Sequence, residues 1–511
     1  MLLHPTSLPG PHGHGDLGPE AHAFVRLLGA ARQRWWQMLP IGLPGRGDSP
    51  YDAASSFAGS PWLISLALLV RDGLLPAEAL AAPGPLVRAK LAEHAEARAF
   101  RLPRLRAAWA ALRGQPRSPL ARELTHFVER ERSWLATDSL FAALTHHHRT
   151  RTWTKWEPAL ARRDPSALAR LEPRLRDEQR FFEFVQWAFD RQWRSLRVAC
   201  REAGVGLVGD VPMFVAHESS DVWAHRELFR LGRSGEASEV TGVPPDQFTR
   251  RGQRWGTPQY DWSAHAAEGF AWWRARLGVA SSRFDVVRLD HFIGFVRAYC
   301  IAASARDARR GRFRPVPGAA LLQGVQASLG ALPFVAEDLG VVTPEVRALR
   351  DRFGLPGMRV LVFGFEGAPN EHLPHRWPEH SLGCTGTHDT ETLGGWLRRL
   401  AAGGPEARRA RSRALDYAGT SPTPEWALVR SALASPANTV ILPLQDALEL
   451  GAAARMNVPG TPRGNWRWRV PPGEPAPARV ERLGALVEAT DRQPSATPPL
   501  TKSIRRVNRR P

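Results

Sequence analysis

Lysine is nearly absent from this 511-residue chain: its 69 Lys+Arg include only Lys90, Lys155 and Lys502. Arginine therefore carries the basic character, and against 50 Asp+Glu it gives a formal charge of +19. Tyrosine (4), methionine (5) and cysteine (3) are scarce too. This bias fits a GC-rich coding sequence better than a dedicated phosphate-binding surface. Cys200, Cys300 and Cys384 are too few and too scattered for a disulfide framework or a thiolate metal site. No apolar run approaches the ~18 residues needed to cross a bilayer; the longest, Trp62 to Val70, is half that. No basic segment followed by a long apolar stretch opens the chain, so no secretory signal is visible and no membrane partner is expected. Clustered positive charge is lacking as well. Arginines are spread along the chain, often beside carboxylates as in Arg162-Arg163-Asp164, and only Arg505-Arg506-Val507-Asn508-Arg509-Arg510 forms a local cluster. A nucleic-acid binder concentrates its charge in a stripe or tail, so no nucleic-acid partner is expected. These absences leave a soluble, cytoplasmic protein as the expectation.

What is present is a full-size core. With 43% hydrophobic and 23% charged residues, wholesale disorder is excluded. At roughly 100–200 residues per domain, the length suits two to four units or one large α/β barrel with insertions. Eight short apolar runs end in a polar residue or a turn, as buried parallel strands do. They are Met1 to Pro5, Trp35 to Pro40, Val205 to Asp210, Phe284 to Asp290, Pro333 to Asp338, Met358 to Phe363, Leu382 to Asp389 and Thr439 to Asp446. Helix-like segments fall between many of them, for example Pro19 to Arg32 and Gly318 to Leu329. Alternating strands and helices predict a closed (β/α)8 TIM barrel.

Two gaps exceed a simple crossover. Residues 63–198 predict a mostly helical insertion after the second strand, and the Gly/Pro/Trp-rich residues 211–280 an irregular one after the third, lining a substrate cleft. Residues 470–511 read as a C-terminal helix and basic tail, with no separate C-terminal β-sandwich.

Three carboxylates, Asp290, Glu337 and Asp389, fall at strand C-terminal ends in this reading. Gathered at one barrel mouth they suit glycosidic chemistry: one attacks the anomeric carbon, one protonates the leaving oxygen, one steadies the oxocarbenium-like transition state. Singly, each is better explained as a helix cap or a metal ligand. Arg288 shifts the balance, because two residues before Asp290 it shares a strand face with it. A guanidinium there favours the charged carboxylate that a nucleophile has to be. Glu337, to act as proton donor, needs an enclosed setting, which Phe334, Val335 and Ala336 fit. His291 and His388 offer donors for sugar hydroxyls, or equally scaffold hydrogen bonds. The run His146-His147-His148 and the pair His12 and His14 read as surface or loop positions, and no metal site and no cofactor is expected.

At this point the motifs resemble those of the amylomaltases, bacterial 4-α-glucanotransferases related to the α-amylases. They run from Leu2-Leu3-His4-Pro5-Thr6-Ser7-Leu8-Pro9-Gly10 and Gly47-Asp48-Ser49-Pro50-Tyr51 through Gly209-Asp210-Val211-Pro212-Met213-Phe214 and Gly252-Gln253-Arg254-Trp255-Gly256. Arg288-Leu289-Asp290-His291-Phe292, Ala336-Glu337-Asp338-Leu339-Gly340, Thr385-Gly386-Thr387-His388-Asp389 and Arg455-Met456-Asn457-Val458-Pro459-Gly460-Thr461 follow in order. The resemblance implies Asp290 as nucleophile, Glu337 as general acid/base and Asp389 as transition-state stabiliser. It also implies substrate contacts from Asp210, Arg288, His291, His388 and Asn457, with Tyr51 stacking on a sugar. Gln253 and Trp255 resemble a mobile loop over the acceptor. The implied partners are α-1,4-glucans and maltooligosaccharides; the sequence does not give the oligomeric state, for which a monomer is favoured. With 19 Trp against 4 Tyr, indoles are plentiful for sugar faces, although most are expected in the core. Departures from the family pattern are Ile293 for a basic residue, Cys300 and Cys384 for aromatics, Thr390-Glu391 for Asn-Asp, and a basic Thr249-Arg250-Arg251. The competing readings are an α-glucan hydrolase and an inactive glucan-binding protein.

Overall fold

The computed structural model describes residues 1–245 and 250–492; Thr249 and the basic tail cluster lie outside the described residues. Its centre is a parallel sheet of β1 (Trp35–Gln37), β2 (Gly206–Val211), β5 (Val286–Leu289), β8 (Phe334–Ala336), β9 (Gly357–Val360), β10 (Ser381–Cys384) and β11 (Thr439–Ile441), paired in that order. Leu2 closes the ring, bridging Gln37 of β1 on one side and Pro443 beyond β11 on the other. Two amide bonds fix that closure, Leu2 N–H to the Leu442 carbonyl at 2.7 Å and Leu3 N–H to the Gln37 carbonyl at 3.0 Å. The fold is therefore the expected eight-stranded barrel. Its first strand is cut short because Pro5 has no amide to pair and opens a 3₁₀ turn over Pro5–Ser7, while the His4 ring accepts the Thr6 amide.

Helices cover the barrel with single apolar faces. In Pro19–Ala30, Pro stands in the first turn and Ala21, Phe24, Val25 and Leu28 are buried, at the spacing of one helix face. The helix Pro165–Glu202 starts at an Asp164 cap, buries Phe181, Phe184, Trp187 and Trp193, and ends as the crossover into β2. Most indoles are core, as expected: 16 of the 19 are buried, and Trp36, Trp153, Trp187, Trp193, Trp223, Trp273, Trp377 and Trp396 fully so. All three cysteines are free and buried, and burial pushes the Cys200 and Cys384 thiols up to about 12. His12 and His14 do lie in a loop, but a buried one: His12 bonds the Leu80 carbonyl and His14 the Gly15 carbonyl.

One layer differs from expectation. A second, antiparallel sheet of β3 (Glu239–Val243), β4 (Gln253–Pro258), β6 (Arg297–Ala302) and β7 (Gly311–Pro315) runs in the order β4-β3-β6-β7. The region between β2 and β5 reads as irregular in sequence because the β3–β4 pairing slips between Val240 and Gly242, which breaks the apolar alternation. The other two strands follow β5, where no strand is predicted, and β7 is the polar, largely exposed Gly-Arg-Phe-Arg-Pro. Among the described residues, no helix is long and apolar enough to cross a membrane.

Candidate active site

Register builds the floor of the site. Asp210 of β2 pairs directly with Arg288 of β5, so the two side chains stand side by side on neighbouring parallel strands. The Arg288 Nη1 lies 2.8 Å from both Asp210 oxygens and 2.9 Å from Asp290 Oδ1. Burial opposes the guanidinium's charge, but Asp210 and Asp290 keep it protonated well above its ordinary range. Burial also raises Asp210, and Arg288 pulls against that rise. Asp290, just past β5, keeps its side chain 26% exposed toward the cleft, whereas Asp210 has no exposed side-chain surface. The chemistry is thus split between a sealed carboxylate that anchors Arg288 and an open one beside it.

Glu337 stands just past β8, the next strand over. Its Oε2 accepts the His291 amide at 2.7 Å, and its own amide donates to the Leu289 carbonyl at 3.1 Å. His291 takes a left-handed conformation, φ +52°, which turns that amide toward Glu337 immediately after Asp290. Burial drives the Glu337 carboxyl well above the ordinary range; Asp290 adds to this and Arg288 opposes it. A carboxyl so placed keeps its proton to higher pH than an ordinary one, which favours the state a general acid needs. Burial lowers His291 below its ordinary value, so its ring is neutral.

The opposite wall comes from loops. Beyond β10 the chain turns at Thr387–Thr390, closed by the Thr390 hydroxyl accepting the Thr387 amide at 2.9 Å. Asp389 projects from this turn, its side chain 46% exposed and 3.3 Å from His388 Nε2. The Asn457 amide donates to Asp389 Oδ1 at 2.6 Å. The Tyr51 hydroxyl donates to Asp210 Oδ2 at 2.7 Å, and its ring stacks on His388 with centroids 5.1 Å apart. Burial, with Asp210 next, lifts the Tyr51 phenol well above its ordinary range, so it stays a donor. Direct contacts therefore run unbroken from Asp290 through Arg288, Asp210, Tyr51 and His388 to Asp389. Over the mouth, Trp255 on β4 is 40% exposed, meets the His291 ring edge-on at 5.0 Å, and donates its indole N–H to Gln253 Oε1 at 3.1 Å.

The site residues expected from sequence thus join one network of contacts. Tyr51, expected to stack on a sugar, already has a stacking partner in His388. Trp466 and Arg455 were not singled out. Trp466 packs against both Tyr51 and His388, with centroids 5.9 Å from each, from a left-handed conformation at φ +64°. The only sequence signal for it is an aromatic in the turn-rich Gly464-Asn465-Trp466. Among the described residues, no group of three or more His, Cys, Asp or Glu is placed to hold a metal ion.

The 4-alpha-glucanotransferase family profile matches residues 3–474 of this chain. The chain belongs to that family. The 4-alpha-glucanotransferase of Thermus thermophilus is 45% identical over 500 residues, covering 96% of this chain and 98% of its own. That of Synechocystis is 40% identical over 480 residues, covering 93% and 94%. Among solved structures, the amylomaltase of Streptococcus agalactiae in complex with acarbose superposes with a TM-score of 0.92 at 32% identity, covering 96% of this chain and 99% of its own. The amylomaltase of Corynebacterium glutamicum, at 19% identity and a TM-score of 0.75, shares the fold. The 4-alpha-glucanotransferase assignment covers the barrel and both of its long insertions.

Proposed function

We propose that this chain transfers α-1,4-glucan segments to the 4-hydroxyl of an acceptor glucan or of glucose, with retention at the anomeric carbon. Asp290 attacks that carbon while Glu337 gives its proton to the departing glycosidic oxygen. The C–O bond breaks, a covalent glucosyl-Asp290 ester forms and the reducing-end fragment leaves. Glu337, now a carboxylate, takes the proton of the acceptor's 4-hydroxyl as that oxygen displaces Asp290, and two inversions give net retention. Asp389 steadies the positive charge that develops on the ring in each step. Tyr51, Asp210, Arg288, His291, His388 and Asn457 hold the sugar or the carboxylates, and carboxylates with Arg288 balance the charge without calling on a cofactor.

The observation that carries this reading is the unequal treatment of two neighbouring carboxyls. Asp290 is open and 2.9 Å from a buried guanidinium, and Glu337 is enclosed and driven toward its protonated form. Transfer outruns hydrolysis when the acceptor displaces water from the intermediate, and the exposed indole of Trp255, bonded to Gln253, supports a covering role for that pair. The substrates are α-1,4-glucans and maltooligosaccharides, and the protein acts in the cytoplasm as a monomer. Incubation with maltotriose, followed by chromatography by chain length, is expected to give glucose plus a ladder of longer maltooligosaccharides. Glucose and maltose without elongation would make it a hydrolase, and amylose binding without turnover an inactive binder.

A further inference from the structure

Asp389 is the catalytic carboxylate with the weakest hold of its own. It sits in a turn rather than at a strand end, and nearly half of its side chain is exposed. Its placement comes from a neighbouring loop. The Arg455 Nη2 donates to the Asp389 backbone carbonyl at 2.6 Å, and its Nε to the Asn457 carbonyl at 2.8 Å. Asn457 completes the connection from its own side, its main-chain N–H donating to the His388 carbonyl at 3.1 Å and its side-chain amide to Asp389 Oδ1. The third arm of the guanidinium, Nη1, lies 3.7 Å from Glu391 Oε2, two residues past Asp389. Glu391 is itself drawn inward, its other oxygen buried without a hydrogen-bond partner. One planar cation thus ties the loop after β10 to the loop after β11, with a separate donor for each carbonyl.

We propose that Arg455 is a positioning residue, which fixes Asp389 against the anomeric carbon without touching the sugar. The inference rests on the transfer reading above, in which Asp389 acts in the transition state. Because the carboxylate matters most when charge develops, loosening it lowers kcat and leaves ground-state binding nearly intact. A lysine reaches one carbonyl but not both, so it recovers only part of the effect.

The test compares initial rates of maltotriose disproportionation for the wild type, Arg455→Ala and Arg455→Lys, with near-ultraviolet circular dichroism on each. Arg455→Ala is expected to lose about 10²-fold in kcat, the scale of a misplaced catalytic group, with KM close to wild type. Arg455→Lys is expected to fall between the two, and guanidinium chloride at tens of millimolar to restore part of the alanine variant's rate. An unchanged kcat, or a KM that rises at constant kcat, overturns the proposal. A loss of rate in folded protein that neither lysine nor guanidinium relieves also overturns it. Should the alanine variant fail to fold, the kcat and KM of Arg455→Lys decide alone, a wild-type kcat counting against. A wild type that makes no ladder refutes the transfer reading itself, a result separate from any of these.

Discussion

The two walls of the cleft are made differently. On one, Asp210, Arg288, Asp290 and Glu337 stand on or just past paired parallel strands, and their relative positions follow from strand register. On the other, Asp389, Asn457 and, over the mouth, Trp255 sit on turns and on a slipped antiparallel pairing; Asp389 and Asn457 share a side-chain hydrogen bond, and Asp389 and Trp255 are substantially exposed. In the proposed mechanism the strand wall carries Arg288 and Glu337, whose charge states are set before substrate arrives, and the loop wall carries the groups that meet the ring and the acceptor. Fixed register suits the first task, because pre-set charges act without reorganisation. Adjustable loops suit the second, since glucans of different length enter and leave past them.

The contrast can be broken most sharply on the strand wall. Asp290→Asn is expected to abolish transfer, by on the order of 10⁴-fold or more in kcat, with an unchanged circular dichroism spectrum; near-normal turnover would remove Asp290 from the mechanism. A smaller effect comes from the acid. Because the Glu337 carboxyl is raised, its proton is kept to higher pH than an ordinary carboxyl's and is lost as pH rises through that elevated value. Activity is therefore expected to fall on the alkaline limb of its pH profile. Glu337→Gln is expected to cost about 10²–10⁴-fold and to lose that alkaline limb, and a limb that survives in the variant belongs to another group. On the loop wall the effect shrinks and changes kind. Trp255→Ala is expected to lower total turnover only several-fold while raising the ratio of free glucose to elongated product. An unchanged ratio would mean that the indole does not shield the intermediate.

This division also explains what could be read in the sequence. Asp290 and Glu337 were legible because buried parallel strands announce themselves as apolar runs, and catalytic groups collect where such runs stop; Asp389, expected at such an end, lies instead in a turn well past β10 and was legible through its motif. Arg288 was legible from the two-residue period of a strand. That Arg288 also bridges to Asp210 depends on the register between β2 and β5, a pairing across 78 residues that no local pattern encodes. The antiparallel sheet was missed because its strands are short, one pairing slips, and β7 alternates arginine with phenylalanine at the surface rather than in a core. Arg455 was visible within a family motif but not as a tether, since its bonds go to main-chain carbonyls, which any sequence possesses. Trp466 escaped for a related reason: its left-handed backbone is a property of the folded turn, and one tryptophan among 19 carries no mark of it.

The interior placement of Cys200, Cys300 and Cys384 has a practical corollary. Enclosed thiols whose ionisation is suppressed by burial react sluggishly with electrophiles, so the native protein offers a silent background to maleimide dyes. A single cysteine installed beside Trp255 becomes the sole fast-labelling handle, and a fluorophore there can report the arrival of an acceptor in real time without removing any natural residue first.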